Sequence, residues 1–94
     1  MARVTLRRYH ESGAAGERQR HLVEIRFVET ASTKPVTQKR AGQIITREFP
    51  AFHSIGRTIV IKTEDGYWAS RALQPTPGCS FHYIWEHVYL TEDQ

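Results

Sequence analysis

The stretch HLVEIRFVETASTKPVTQKRAGQIITREF (residues 21–49) holds the change of period on which the fold turns. Near its start, Val23, Ile25 and Phe27 alternate with Glu24 and Arg26, the two-residue period of a strand with one wet face. Near its end, Ala41, Ile44, Ile45 and Phe49 share one arc of a helical wheel, and Lys39, Arg40, Gln43 and Arg47 share the opposite arc. Between the two, Ser32 or Thr33 is placed to cap a helix, and Pro35 suits a first turn, where a missing N–H costs nothing. Gly42 counts against the helix by about 1 kcal/mol relative to Ala. The competing strand has no clean alternation through VTQKRAGQ. The spacing predicts a helix from about Pro35 to Glu48.

Working outward, RVTLRRY (Arg3–Tyr9) begins as a strand, and HESGAAGERQ (His10–Gln19) reads as a loop to the strand His21–Glu29. Downstream, FPAFHSIG connects to a hairpin signal. β-branched residues run from Thr58 to Ile61, Asp65-Gly66 supplies a turn, and Tyr67-Trp68 opens the return strand. QPTPG breaks the chain. CSFHYIWEHVYL fits a helical stripe through Phe81, Ile84, Trp85 and Val88, but its aromatic and β-branched content and the preceding hairpin favour a third meander strand. That strand would hold Phe81, Tyr83, Trp85 and Tyr89 on one face. The expected order is β-β-α-β-β-β: a single α+β domain over residues 1–94, an antiparallel sheet with one helix packed on one face. Its expected core is Val23, Ile25, Phe27, Ile44, Ile45, Ile59 and Ile61.

The 94 residues are 39% hydrophobic and 24% charged, within the range of one folded domain with a modest core. The lone cysteine, Cys79, excludes an intramolecular disulfide and fits a reducing interior. No stretch reads as a membrane span, and MARVTLRRYH lacks the apolar run of a signal peptide, so a location in the host-cell cytoplasm is expected. Net charge is +3 but unevenly spread. Residues 1–47 carry ten Lys/Arg against four acids, and residues 48–94 three against six. This polarity points to one surface that meets an anionic partner.

Catalysis finds little to build on. Among the five histidines no pair has metal-ligand spacing, and HYIWEH is not HExxH, so neither metal nor other cofactor is expected. Cys79 with Ser80 and His82 is the one conceivable nucleophile group, weighed against a bystander cysteine. SGAAGER lacks the GK[ST] of a phosphate loop. The more specific feature is the helix: Lys39, Gln43 and Arg47 form one row at i, i+4 and i+8, with Arg40 beside it and Lys34 at its start. Such a row can contact successive phosphates. Arg18 and Arg20 at the hairpin tip would add to it, and Tyr67, Trp68 and Trp85 could stack on bases. The bland counterpart is a solvated helix face over a core that holds those aromatics.

The run KRAGQIITREFPAFHSIGRTIVIKTEDGYWAS (residues 39–70) resembles the centre of small anti-CRISPR proteins of phage and mobile elements that inhibit type I-F surveillance complexes. The shared pattern is a basic helix ending in Arg47-Glu48, then Phe52-His53, a β-rich strand over Thr58–Lys62, a turn, and Gly66-x-Trp68. It covers about a third of the chain. The resemblance implies a non-enzymatic inhibitor that binds Cas subunits of the Cas–crRNA complex and blocks target DNA, with basic side chains that hold DNA unproductively. Arg47 alone carries over by position. The chain differs by one extra residue between Glu48 and Phe52, by the hairpin Val4–Glu29 and by the strand Phe81–Leu90. The subunit it would meet is left open, as is a monomeric or homodimeric state. The other function expected of the same residues is a stand-alone DNA- or RNA-binding module.

Overall fold

The computed structural model describes residues 2–13, 19–30, 34–52, 59–73 and 84–93. Strands β1 (Ala2–Ser12) and β2 (Gln19–Thr30) precede helix α1 (Gln38–Glu48) and a 3-10 turn, Pro50–Phe52. Strands β3 (Ile59–Lys62), β4 (Gly66–Leu73) and β5 (Ile84–Asp93) follow. They form one five-stranded antiparallel sheet in the order β2-β1-β5-β4-β3. The expected α+β class and element order hold. The expected meander holds, with β5 paired to β4; what local pattern did not reveal is that β1 pairs on the other side of β5, which puts the last strand in the middle.

The helix starts later than expected. Thr37 caps it, its hydroxyl accepting from the Arg40 N–H at 3.2 Å, and Pro35 lies ahead of the first turn. The reason is tertiary: the Val36 carbonyl accepts from the Tyr67 hydroxyl at 2.7 Å and the Val36 N–H donates to the Glu92 carboxylate. Val36 is thereby tied to the sheet, and helical geometry begins only beyond it. Ser32 and Thr33 lie outside the described residues. At the other end, Arg26 donates to the Glu48 carbonyl at 2.6 Å, a cation where the helix dipole favours one.

The apolar arc of α1 packs as its spacing requires. Ala41, Ile44 and Ile45 are fully buried, with Phe49 and Phe52 beneath them. They meet Val4, Leu6, Tyr67, Ala69, Val88 and Leu90 from the sheet, with Val28 and Val60 at the margin. The rest of the expected core is overturned. Val23, Ile25, Phe27 and Ile61 lie on the other face of the sheet and are 51%, 46%, 64% and 56% exposed; the Ile59 side chain lies outside the description. Their alternation marked a strand correctly but could not say which face the helix covers. An 11-residue helix is about 16 Å long, while 11–12 residues of strand span close to 40 Å. The helix therefore roofs only part of the sheet, and the β1–β2 ribbon runs past it, within a molecule 48 Å long.

Two turns also differ. The segment His10–Ser12 continues β1 and β2 begins at Gln19, so the first loop is shorter than its polar composition suggested. In the β3–β4 hairpin Gly66 already belongs to β4, and Thr63 closes the turn by accepting from the Gly66 N–H at 3.0 Å. Gly66 is required for space: a Cβ there would sit 1.9 Å from the Leu90 carbonyl oxygen. No helix among the described residues is long and apolar enough to cross a membrane.

Candidate nucleic-acid interface

The five-stranded order puts the two cationic features of the chain on opposite sides. With Ala41, Ile44 and Ile45 inward, Lys39, Arg40, Gln43 and Arg47 are all exposed on the outer surface of α1. Arg40 donates to Gln43 at 3.3 Å, and Arg47 lies 3.5 Å from the neighbouring Glu48 carboxylate. Lys34 is exposed just ahead of the helix. Arg18 lies outside the described residues. Arg20 is the member of the expected set that the fold takes elsewhere: it stands on the sheet face away from the helix, opposite Glu11.

No described element covers that face, and register decides what it displays. Tyr9 pairs with His87, Ser70 with His87, and Trp68 with Tyr89, so side chains from β1, β5 and β4 meet in one layer. Trp68 is the hub. Its ring lies 5.8 Å from Tyr9, 5.5 Å from Tyr89 and 5.1 Å from His87, with the Arg20 guanidinium 4.7 Å above it. Trp85 stacks on His87 at 6.3 Å with an interplanar angle of 4°. Tyr9, Trp68, Trp85 and Tyr89 all stay partly open to solvent. Beyond them, Arg3 lies 5.3 Å over the exposed Phe27 ring, and Arg7 donates to Thr91 at 3.1 Å. Aromatic planes flanked by guanidinium groups are what unstacked bases and their phosphates need. Of the aromatics expected to stack on bases, Trp68 and Trp85 are here. Tyr67 is not: one residue from Trp68 in a strand, it faces the core and is buried. Tyr89 was expected on one face with Trp85, as it is, but the Tyr9 contribution was missed because pairing between β1, β5 and β4 has no local signal.

Within this layer Ser70, His87 and Glu11 form a chain. The Ser70 hydroxyl is 2.6 Å from His87 Nδ1, and His87 Nε2 is 3.3 Å from a Glu11 oxygen. Burial is the main influence on His87 and, helped by Arg20, pushes its imidazole below the ordinary value, against the Glu11 hydrogen bond and charge. The neutral ring then carries its proton on Nε2, donating to Glu11 and accepting from Ser70. Burial by itself would raise the Glu11 carboxyl, but the His87 hydrogen bond, the charge that His87 takes up in acid and the charge of Arg20 together hold it below the usual carboxylate range. The order serine–histidine–acid invites comparison with a nucleophile triad. The surroundings do not support one. His87 is 6% exposed with both ring nitrogens engaged, and the backbone at Ser70 and His87 is committed to sheet pairing, so it offers no free N–H to an oxyanion there. The chain instead fixes the orientation of the rings stacked on His87.

The covered face carries the complementary charge cluster. Arg8 bridges Glu24 and Glu86, each at 3.2 Å, and Arg71 reaches Glu86 at 2.8 Å. Arg26 pairs with Glu24 and lies 4.4 Å over the Phe49 ring. The hydrogen bond from Arg26 is the main reason the Glu24 carboxyl lies below its usual range. These arginines help to hold the end of α1 to the sheet. The group Cys79, Ser80 and His82 lies outside the described residues, as do Phe81 and Tyr83, and no cluster of potential metal ligands occurs among the described ones. Compared with known proteins, the chain matches no family model, no curated protein and no solved structure.

Proposed function

We propose that this protein is a non-catalytic binding module that lays a single strand of DNA or RNA across the uncovered face of its sheet. The observation that carries this reading is the layer of Tyr9, Trp68, Trp85 and Tyr89, with Arg20 over Trp68 and Arg3 and Arg7 along the same face. Splayed bases stack on an aromatic sheet face of this kind; each stacked base contributes about 1–3 kcal/mol. The test is quenching of Trp68 and Trp85 fluorescence by short homopolymeric DNA and RNA strands at low salt. Saturable quenching that Trp68→Ala abolishes supports the reading. No quenching and no mobility shift with any strand would sink it.

A second reading is favoured by the outer surface of α1. There Lys39, Arg40, Gln43 and Arg47 stand in one exposed row, and the resemblance over residues 39–70, which carries over Arg47 alone by position, implies docking on a CRISPR surveillance complex. In that reading the protein inhibits the complex by occupying the surface that target DNA needs, working in the cytoplasm of the host cell. Co-purification of tagged protein with type I surveillance complexes tests it. A complex that retains the protein and no longer shifts target DNA supports it, and Arg47→Glu should release the block. Absence of association with any type I complex would end it.

A further inference from the structure

Among the described residues, the sheet has one long uncovered edge. β2 pairs with β1 alone, and its twelve residues contain no proline. Edge strands are ordinarily blunted by charge, proline or cover, because their unpaired N–H and C=O groups template association. This one carries Arg20, Glu24, Arg26 and Glu29 and a bulge at Val23, and among them it also presents an apolar strip. Leu22, Val23, Ile25 and Phe27 are about half exposed or more, and the bulge at Val23 brings Leu22 and Ile25 to the same side of the sheet. On the other side the same strand carries Glu24 and Arg26.

We propose that this edge is a homodimer interface, in which β2 pairs antiparallel with β2 of a second copy about a two-fold axis at Ile25. The register follows from the sequence. With Ile25 on the axis, Val23 faces Phe27 of the second copy and Glu24 faces Arg26; the bulge at Val23 sets Leu22 and Val28 on opposite sides of the sheet, so the matched register runs over residues 23–27. The intrachain Glu24–Arg26 pair then becomes half of a ring of four alternating charges. An axis at Glu24 or Arg26 would oppose like charges across it, and an axis at Phe27 would set Ile25 against Glu29. Cross-strand pairs of opposite charge and of apolar residues are what fix a sheet register. A two-fold edge pairing is also isologous and closes after two copies. The product is a ten-stranded sheet whose two open faces run into one another across the apolar strip. This inference stands apart from the nucleic-acid reading, since it rests on the edge and not on the aromatic layer.

Sedimentation equilibrium across a wide concentration range, with circular dichroism and thermal melting as fold controls, tests it. The wild-type chain should reach twice its monomer mass. Ile25→Lys, at an exposed position, sets two like charges on the axis and should leave a folded monomer. Glu24→Arg should weaken association about tenfold or more, because each copy then opposes Arg to Arg. The double substitution Glu24→Arg/Arg26→Glu restores the alternating ring in reverse and should recover the dimer. A wild-type chain that stays monomeric throughout, an Ile25→Lys variant that stays dimeric, or a natively folded double variant no tighter than Glu24→Arg would each overturn the proposal.

Discussion

The two cationic surfaces can be told apart by how each sets the salt dependence of binding. On the sheet face, Arg3, Arg7 and Arg20 are placed to neutralise about three phosphates. For a single strand each released counterion adds about 0.7 to the slope of log affinity against log salt. The wild-type slope should therefore be close to −2, and raising salt fourfold should weaken binding about twentyfold. Arg20 contributes less than a full charge, because Glu11 already shares it at 3.2 Å. In Arg3→Ala/Arg7→Ala/Arg20→Ala the slope should fall towards zero. In Lys39→Ala/Arg40→Ala/Arg47→Ala it should stay near −2, since those groups are separated from the strand by helix and sheet, more than the roughly 8 Å over which charge is felt at physiological salt. Fluorescence anisotropy of a labelled oligonucleotide, titrated at several salt concentrations, gives both slopes. If the helix variant flattens the slope and the sheet variant does not, the aromatic layer has been misread as the binding face.

Other outcomes follow from the packing. Gly42→Ala should stabilise by about 0.5–1 kcal/mol in urea melts, because the helix gains propensity and the new methyl meets Val60 at an ordinary 3.6 Å. Gly66→Ala should cost about 3 kcal/mol, since β4 must move off β5 to admit the Cβ. Tyr67→Phe removes the bond to the Val36 carbonyl and should cost about 1–2 kcal/mol by the same measurement. The His87 imidazole, held below its unfolded value by burial, binds protons more readily in the unfolded chain. Stability contributed there is present above the ordinary histidine value near 6.5 and declines as pH falls from it through the lower folded value. His87→Gln should flatten that part of the pH–stability curve.

What the sequence disclosed, and what it withheld, divides along the range of the interactions. The helix arc and strand periods are set by neighbours a few residues away, so Ala41, Ile44, Ile45 and Phe49 were found inside and Lys39, Arg40, Gln43 and Arg47 outside. Tyr67 and Trp68 show the limit of composition: adjacent residues in a strand go to opposite faces, and only the register with Leu90 and Tyr89 assigns them. Val23, Ile25 and Phe27 show the limit of alternation, which groups residues on a face without saying which face is roofed. Glu24 and Arg26 took the covered side because the end of α1 offers Phe49 and the Glu48 carbonyl to Arg26. Such a charged, cation–π lining has no apolar signature to read.

The position of β5 between β1 and β4 has a kinetic consequence. Until Ile84–Asp93 has been synthesised, the chain holds two separate hairpins, β1–β2 and β3–β4, and two-stranded units are marginal alone in water. Closing β1 against β5 joins residues more than eighty apart in sequence, as Arg3 pairs with Asp93, and contacts of that range are slow to form. Val4, Leu6 and the apolar arc of α1 wait uncovered for that one event. A nascent chain stalled before Ile84 should therefore be open to proteases and chaperones along nearly its whole length, and protection should arrive in a single late step.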